Sequence, residues 1–317
     1  MTGFVTYTAN PTIDIWGEIG DIRPTEKLRT SNVRHDPGGG GVNVARVLRE
    51  LGETVLSVHL AGGVTRGLFE ALVEREKLPS ICVAINGDTR ICSVVRERSS
   101  GREFRFVPAG PHLSPQECDL GLSALAASAC DWLVASGSLP PGAPEDHYEA
   151  VGRLARQRGW RFALDCSGGP LRRVLASGLA DVIKLSRHEL EEITASRLSD
   201  MAELRGACAP MLGENGPRWI AVTLGSEGAV LIGDRRAYQA KTPHVEVVST
   251  VGAGDSFLAG LIHGFASEFA PQAALDLAVA AGAAACLNPG TQLARLADIV
   301  KLRAALSTGD HEQPSLA

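Results

Sequence analysis

Seven short apolar runs, at 4–9, 55–60, 131–136, 161–165, 181–183, 218–223 and 229–232, constrain this chain more than anything else in it. Most are followed by a Gly- or Pro-bearing loop and then by an amphipathic stretch of helical period. The helical stretches fall at 42–51, 67–77, 115–128, 146–158, 188–195, 201–212, 253–267, 271–287 and 296–306. Strands that alternate with helices join in parallel, because each helix carries the chain back across the sheet, and both faces of the sheet are then covered. The expected body is α/β: a mostly parallel sheet sandwiched by helices. Ligands of such sheets sit beyond the carboxyl ends of the strands, where the loops gather.

Two regions break that rhythm. The stretches TIDIWGEI, LRTSNVRHD, RICSVVRER and REFRFV alternate apolar and polar residues and hold few helix formers, as strands with one wet face do. They predict a small antiparallel β lid over the loop edge, built from insertions at about 13–36 and 89–107. The domain reading is one unit over 1–306 with a polar, frayed tail over 307–317. The lid's exposed face predicts a homodimer that pairs lid with lid.

Composition narrows the function. Apolar residues make up 44% of the 317 and the formal net charge is −5, so nothing predicts nucleic acid or an anionic membrane as partner. The run LAVAAGAAACL at 277–287 is too short to span a bilayer. MTGFVTYTANPTID has no basic n-region and does not read as a signal peptide. The seven cysteines form no C-x-x-C pair, which predicts reduced thiols and a cytoplasmic protein.

The stretch STVGAGDSF carries the strongest chemical signal. Gly252, Ala253 and Gly254 sit at the start of an apolar helix, where backbone N–H groups lack internal partners and the dipole favours negative charge. Small residues there make an anion hole. Asp255 would repel an anion, yet it is where a base for a hydroxyl attacking that anion belongs; it is also an ordinary helix-start residue by propensity. Ser256, Gly260 and Gly264 recur every four residues and allow close packing of that helix.

A second signal is PGGGGVNVAR, where four glycines let backbone lie against a ligand and Asn43 can both donate and accept to hydroxyls. GSLPPG, at the carboxyl end of a strand, exposes Ser138. TLGSEGA reads either as a binding loop or as a tight hairpin, and NPGT either as part of a site or as a Gly helix stop. Walker A, H-R-D and H-E-x-x-H sequences are absent.

Together with Asn10-Pro11 and Asp14, these motifs occur in the order found in the ribokinase-like family, the phosphofructokinase B type of sugar kinase, and the resemblance covers about residues 4–306. EKLRT, GGGGVNVAR, DTR, FRFV and SGSLPPG are most similar to the minor bacterial 6-phosphofructokinase branch. The resemblance implies an ATP- and Mg2+-dependent kinase that phosphorylates the 1-hydroxyl of fructose 6-phosphate to give fructose 1,6-bisphosphate. It implies Asp255 as base and Gly252, Ala253 and Gly254 as anion hole. It assigns Asp14, Gly39, Gly40 and Asn43 to sugar hydroxyls, and Arg90 and Ser138 to the sugar's phosphate, with Lys27 and Arg29 as further lid cations. It assigns Thr223, Gly225, Ser226 and Gly228 to the nucleotide loop and Ala283 and Asn288 to the adenine side. Carbonyls around Ser249, Val251, Ala285, Asn288 and Gly290 match a monovalent-cation site, K+ being the natural occupant.

One segment departs from the family pattern. KLSRHE keeps Lys184 and Glu189, but Ser186 stands where the family has Asn, so altered magnesium handling through Glu189 and its waters is expected. The neighbouring 1-phosphofructokinases and tagatose-6-phosphate kinases commonly read G-G-K-G at 38–41, and Gly40 in place of that lysine points to a phosphate held from the lid. Arg90 has no evident structural partner in the sequence. A catalytically silent sensor of sugar phosphate and nucleotide is the reading of a different class; Asp255 argues against it and Ser186 alone favours it.

Overall fold

In the computed structural model, residues 3–213, 216–233 and 236–307 are described. The body sheet holds nine strands. In chain order these are β1 (Gly3–Thr8), β4 (Thr54–Gly62), β5 (Ser80–Ile85), β8 (Trp132–Ser136), β9 (Arg161–Asp165), β10 (Val182–Ser186), β11 (Trp219–Thr223), β12 (Ala229–Ile232) and β13 (Ala237–Ala240). Across the sheet they run β13-β12-β11-β10-β9-β8-β1-β4-β5. Every pairing from β5 to β11 is parallel; β12 and β13 add an antiparallel hairpin at the edge.

Side chains alternate between the faces, as the pleat requires. Phe4, Trp132, Val134, Val182 and Ala221 face one helical layer: α1 (Gly40–Glu50), α2 (Arg66–Arg75), α8 (Ala253–Ala266), α9 (Pro271–Cys286) and α10 (Leu296–Ser307). Val5, Tyr7, Leu133, Phe162 and Ile183 face the other: α3 (Pro115–Ala126), α4 (His147–Arg158), α5 (Gly168–Ser177), α6 (Arg187–Thr194) and α7 (Met201–Cys208). Three elements were not expected from the sequence: β5 is an edge strand, α5 opens on Gly-Gly-Pro, and β13 is a four-residue strand, Ala-Tyr-Gln-Ala, whose Ala and Gln are weak strand formers. The tail is outside the described residues from 308 on.

The lid is a four-stranded sheet in the order β3-β2-β6-β7, with β2 (Thr12–Ile19), β3 (Ser31–Gly38), β6 (Arg90–Glu97) and β7 (Glu103–Phe106). The expected antiparallel pairing holds for β2–β3 and β6–β7. The central seam, β2 on β6, is parallel. That follows from the stems: β2 continues from β1 and β6 from β5, strands that run the same way in the body.

Trp16 and Val94 of the lid pack on Val251 in the loop before α8. The small-residue stripe of α8 lies against α9. A Cβ added at Gly264 would come within 2.8 Å of the Ala274 Cβ, and one at Gly260 within 3.0 Å of the Ala281 Cβ. Gly264→Val is therefore expected to destabilise the fold by about 1–3 kcal/mol, read as a lowered urea midpoint with unchanged slope; an unchanged midpoint would mean the two helices part freely.

Candidate active site

The order in which strands are added reverses about β1, with β4 and β5 on one side of it and β8 onward on the other. The crevice beyond the carboxyl ends of β1 and β8 is thus the switch point of the sheet. Two helices begin there. Gly39 caps α1 with φ +103°, and Gly252 caps α8 with φ +73°; neither has a side-chain cap. At Gly40 a side chain would meet the Ser136 Oγ at 2.2 Å and the Gly137 N at 2.9 Å. Glycine there is a packing requirement of α1 on β8.

The two helix starts meet through one bond. The Asn43 Nδ2 donates to the Asp255 Oδ2 at 2.9 Å, joining motifs 212 residues apart. Burial, with the nearby Asp165 charge adding to it, raises the Asp255 pKa to about 6 against the opposing pull of Asn43, Lys184 and Arg105. Among the described residues the N–H groups of Gly252 and Gly254 have no acceptor, while Ala253 makes one long bond, 3.4 Å, to the Thr250 carbonyl. A Cβ at Gly254 would lie 2.9 Å from the Lys184 Nζ, so that ammonium borders the same turn.

Lys184 sits among carboxylates. It pairs with Asp165 at 3.0 and 3.2 Å. Burial alone would lower its pKa, but Asp165, with Asp255 and Glu189 behind it, raises it instead, so the amine stays charged. Ser186 and Glu189 form a reciprocal cap on α6: the Ser186 N–H and hydroxyl donate to the Glu189 Oε2 at 2.7 and 2.8 Å, and the Glu189 N–H donates back to Oγ at 3.3 Å. Ser186 is therefore occupied as a helix cap, whereas the Glu189 Oε1 accepts no hydrogen bond among the described residues.

On the sugar side, Asp14 is buried and its pKa is raised to about 7, burial outweighing the Thr12 hydroxyl and the Arg46 and Arg90 charges. A Cβ at Gly38 would fall 2.1 Å from the Asp14 Oδ2, so only glycine fits beside it. The Asn10 Nδ2 reaches the exposed Ser138 Oγ at 3.4 Å. Arg90, expected to be without a structural partner, has two: its terminal nitrogens donate to the Pro108 and Asn10 carbonyls at 2.9 Å each. It clasps the lid's stems. Lys27 and Arg29 are exposed in the loop between β2 and β3 and make no hydrogen bond or ion pair among the described residues.

On the nucleotide side, Thr223 ends β11, and Gly225 and Gly228 take φ +63° and +114° around a tight turn that leaves Ser226 exposed. Ala283 is buried in α9. The Asn288 side chain donates to the Ala284 and Leu293 carbonyls at 3.2 and 2.9 Å, knitting the turn after α9. Ser249, Val251, Asn288 and Gly290 are buried, yet among the described residues no donor reaches their carbonyl oxygens. Buried, unused carbonyls suit a monovalent cation; the Ala285 carbonyl, by contrast, already accepts from the Asn288 N–H at 3.1 Å.

The structure adds residues that the motifs do not mark. Asp165 ends a buried parallel strand, a position whose acid was legible as site-facing. Arg105 lies on β7, opposite the inward-facing Val94, and its charge reaches Asp255. The Glu103 carboxylate on the same strand accepts from the Trp16 Nε1 at 3.3 Å and from the Ser249 Oγ at 3.0 Å, linking the lid to the loop before α8. A cavity of about 760 Å3 between Arg156, Trp160 and Trp219 opens at the opposite ends of the strands and contains none of these residues.

Comparison with known proteins identifies the family. The profile described as pfkB family carbohydrate kinase matches residues 8–297. An ATP-dependent 6-phosphofructokinase isozyme 2 of Mycobacterium tuberculosis is 36% identical over 297 residues, 93% of this chain and 87% of that protein. A tagatose-6-phosphate kinase of Staphylococcus epidermidis is 33% identical over 282 residues, 88% and 90% of the two chains. Escherichia coli phosphofructokinase-2, solved in complex with substrates and products, superposes with a TM-score of 0.90 at 32% identity, covering 96% of this chain and 99% of that one. The same E. coli protein has been solved with potassium, with fructose-6-phosphate and as a tetrameric inhibited form. By its profile, its relatives and its fold, the chain belongs to the pfkB family of carbohydrate kinases.

Proposed function

We propose that this kinase transfers the γ-phosphoryl group of ATP to the 1-hydroxyl of fructose 6-phosphate. The observation that carries the reading is the Asn43–Asp255 bond, which sets a hydroxyl-binding amide beside a carboxylate at the mouth of an anion-binding helix. Asp255, with its pKa near 6, is ionised at neutral pH yet basic enough to take the proton of the attacking hydroxyl. Asp14 and Asn43 hold sugar hydroxyls, and the sugar's phosphate faces the lid, where Arg105 supplies charge. The free N–H groups of Gly252 and Gly254, with Lys184 beside them, stabilise the charge spread over the transferring phosphoryl oxygens.

ATP lies along the 223–228 turn with its base toward Ala283 and Asn288. The free Glu189 oxygen would hold a magnesium ion through water, and that ion neutralises phosphate charge when bound. The buried carbonyls of Ser249, Val251, Asn288 and Gly290 would hold a potassium ion. The lid leaves Leu28, Val33, Ile91, Phe106 and Val107 exposed, which supports a homodimer formed through it. Among the described residues no helix is long and apolar enough to cross a membrane, and all seven cysteines are free, in keeping with a cytoplasmic enzyme.

Purified protein assayed with ATP and a panel of sugar phosphates tests the reading. The value of kcat/KM for fructose 6-phosphate is expected to exceed that for fructose 1-phosphate by at least ~100-fold, with weaker discrimination against tagatose 6-phosphate. A preference for fructose 1-phosphate would move the chain to the neighbouring branch of the family. Asp255→Asn is expected to keep sugar binding and lower kcat at least ~100-fold; near-normal turnover would remove the base assignment.

The same variant has a stability signature. The folded pKa of Asp255 lies above its ordinary value of 3.8, so its carboxyl favours the fold at low pH and that contribution is lost as pH rises through about 6. Asp255→Asn should therefore melt above wild type at pH ~8, with the difference vanishing below pH ~4.

A further inference from the structure

Asp36 stands two residues before the glycine run, and its side chain has no solvent exposure. Its Oδ1 accepts from the Arg75 Nη2 at 3.1 Å, and its Oδ2 accepts from the Arg34 Nε at 2.7 Å and the Thr291 Oγ1 at 2.9 Å. A buried carboxylate must be compensated, and the two guanidinium groups do that. The threonine hydroxyl adds no charge. What it adds is a tie between β3 and the loop after α9, positions 255 residues apart.

The two ends of that tie lead to different halves of the site. β3 passes through Pro37 into Gly38, which lies on the Asp14 carboxylate, and on to Asn43. Thr291 follows Asn288 and Gly290, whose buried carbonyls are unused. Asp14 and Asp36 are also directly paired across β2 and β3, and the Asp36 charge is felt at Asp14. Any shift of β3 on sugar binding would pass through that one bond to the loop after α9.

We infer that Asp36 is a positioning residue that, through its hydrogen bond with Thr291, couples occupancy of the sugar-phosphate site to the affinity of the nucleotide site. The inference rests on the kinase reading above. Coupling of this kind is reciprocal and is measured as a ratio of affinities.

The test uses the full-length enzyme and a non-hydrolysable ATP analogue, with Kd measured by calorimetry with and without saturating fructose 6-phosphate. Wild type should bind the analogue more tightly when the sugar is present. Thr291→Val, which keeps shape and removes the hydroxyl, should shrink that ratio at least ~3-fold while leaving the Kd of fructose 6-phosphate alone within ~2-fold, and Thr291→Ser should restore it. Thr291→Ala serves as a second variant read in the same way. An uncoupled wild type, an unchanged ratio in Thr291→Val, or a loss of affinity for each ligand alone that Ser does not restore would each overturn the inference. Should wild type fail to turn over fructose 6-phosphate, the substrate reading falls by itself, and the ratio is then measured with the sugar phosphate that the panel identifies.

Discussion

The close approach of two helix starts over the switch point governs this molecule. Glycine at 39, 40 and 252 lets α1 and α8 start where they do: the first and last take positive φ, and Cβ atoms would strike Thr8, Ser136 and Leu293. Convergence brings Asn43 to Asp255. It also points two sets of unsatisfied N–H groups and two helix dipoles into one crevice, making an acidic protein locally receptive to phosphate.

The charges inside that crevice are held in opposition. Lys184 stands among Asp165, Asp255 and Glu189, and its ammonium keeps them from repelling one another outright. Burial still dominates for Asp255 and Asp14, whose pKa values are both raised. Carboxylates in this state cost the ligand-free fold some stability, and a bound hydroxyl or cation relieves the cost. Sites of this kind are where local rules for a stable fold are expected to fail.

Much of this was legible in the sequence. The alternation of strands and helices, the glycine motifs and the lid's two segments each carry a periodic or turn signal, and the described strands follow it. What was hidden has physical causes. α5 opens on the helix breakers Gly-Gly-Pro, and β13 has four residues, two of them Ala; the Ile and Val of β5 were in view. The parallel seam of the lid depends on the direction of strands far away in sequence. The partners of Arg90 are backbone carbonyls, which no side-chain pattern announces. The role of Ser186 was in view: S-x-x-E before a helix is a capping pattern, and the chemical interest of Glu189 drew attention from it. Arg105 needed the register of β7 on β6 before its direction was known.

The clasp at Arg90 has a mechanical consequence. Arg90 opens β6, Asn10 lies on the stem from β1 into β2, and Pro108 lies on the strand's way back to the body. One guanidinium thus gathers three of the lid's crossings at a single spot. Any turning of the four-stranded plate would be about that spot, as a door turns on its pin. Its far edge would then travel further than the residues beside the pin. Small rotations at the pin would be magnified at the tip that carries Lys27 and Arg29.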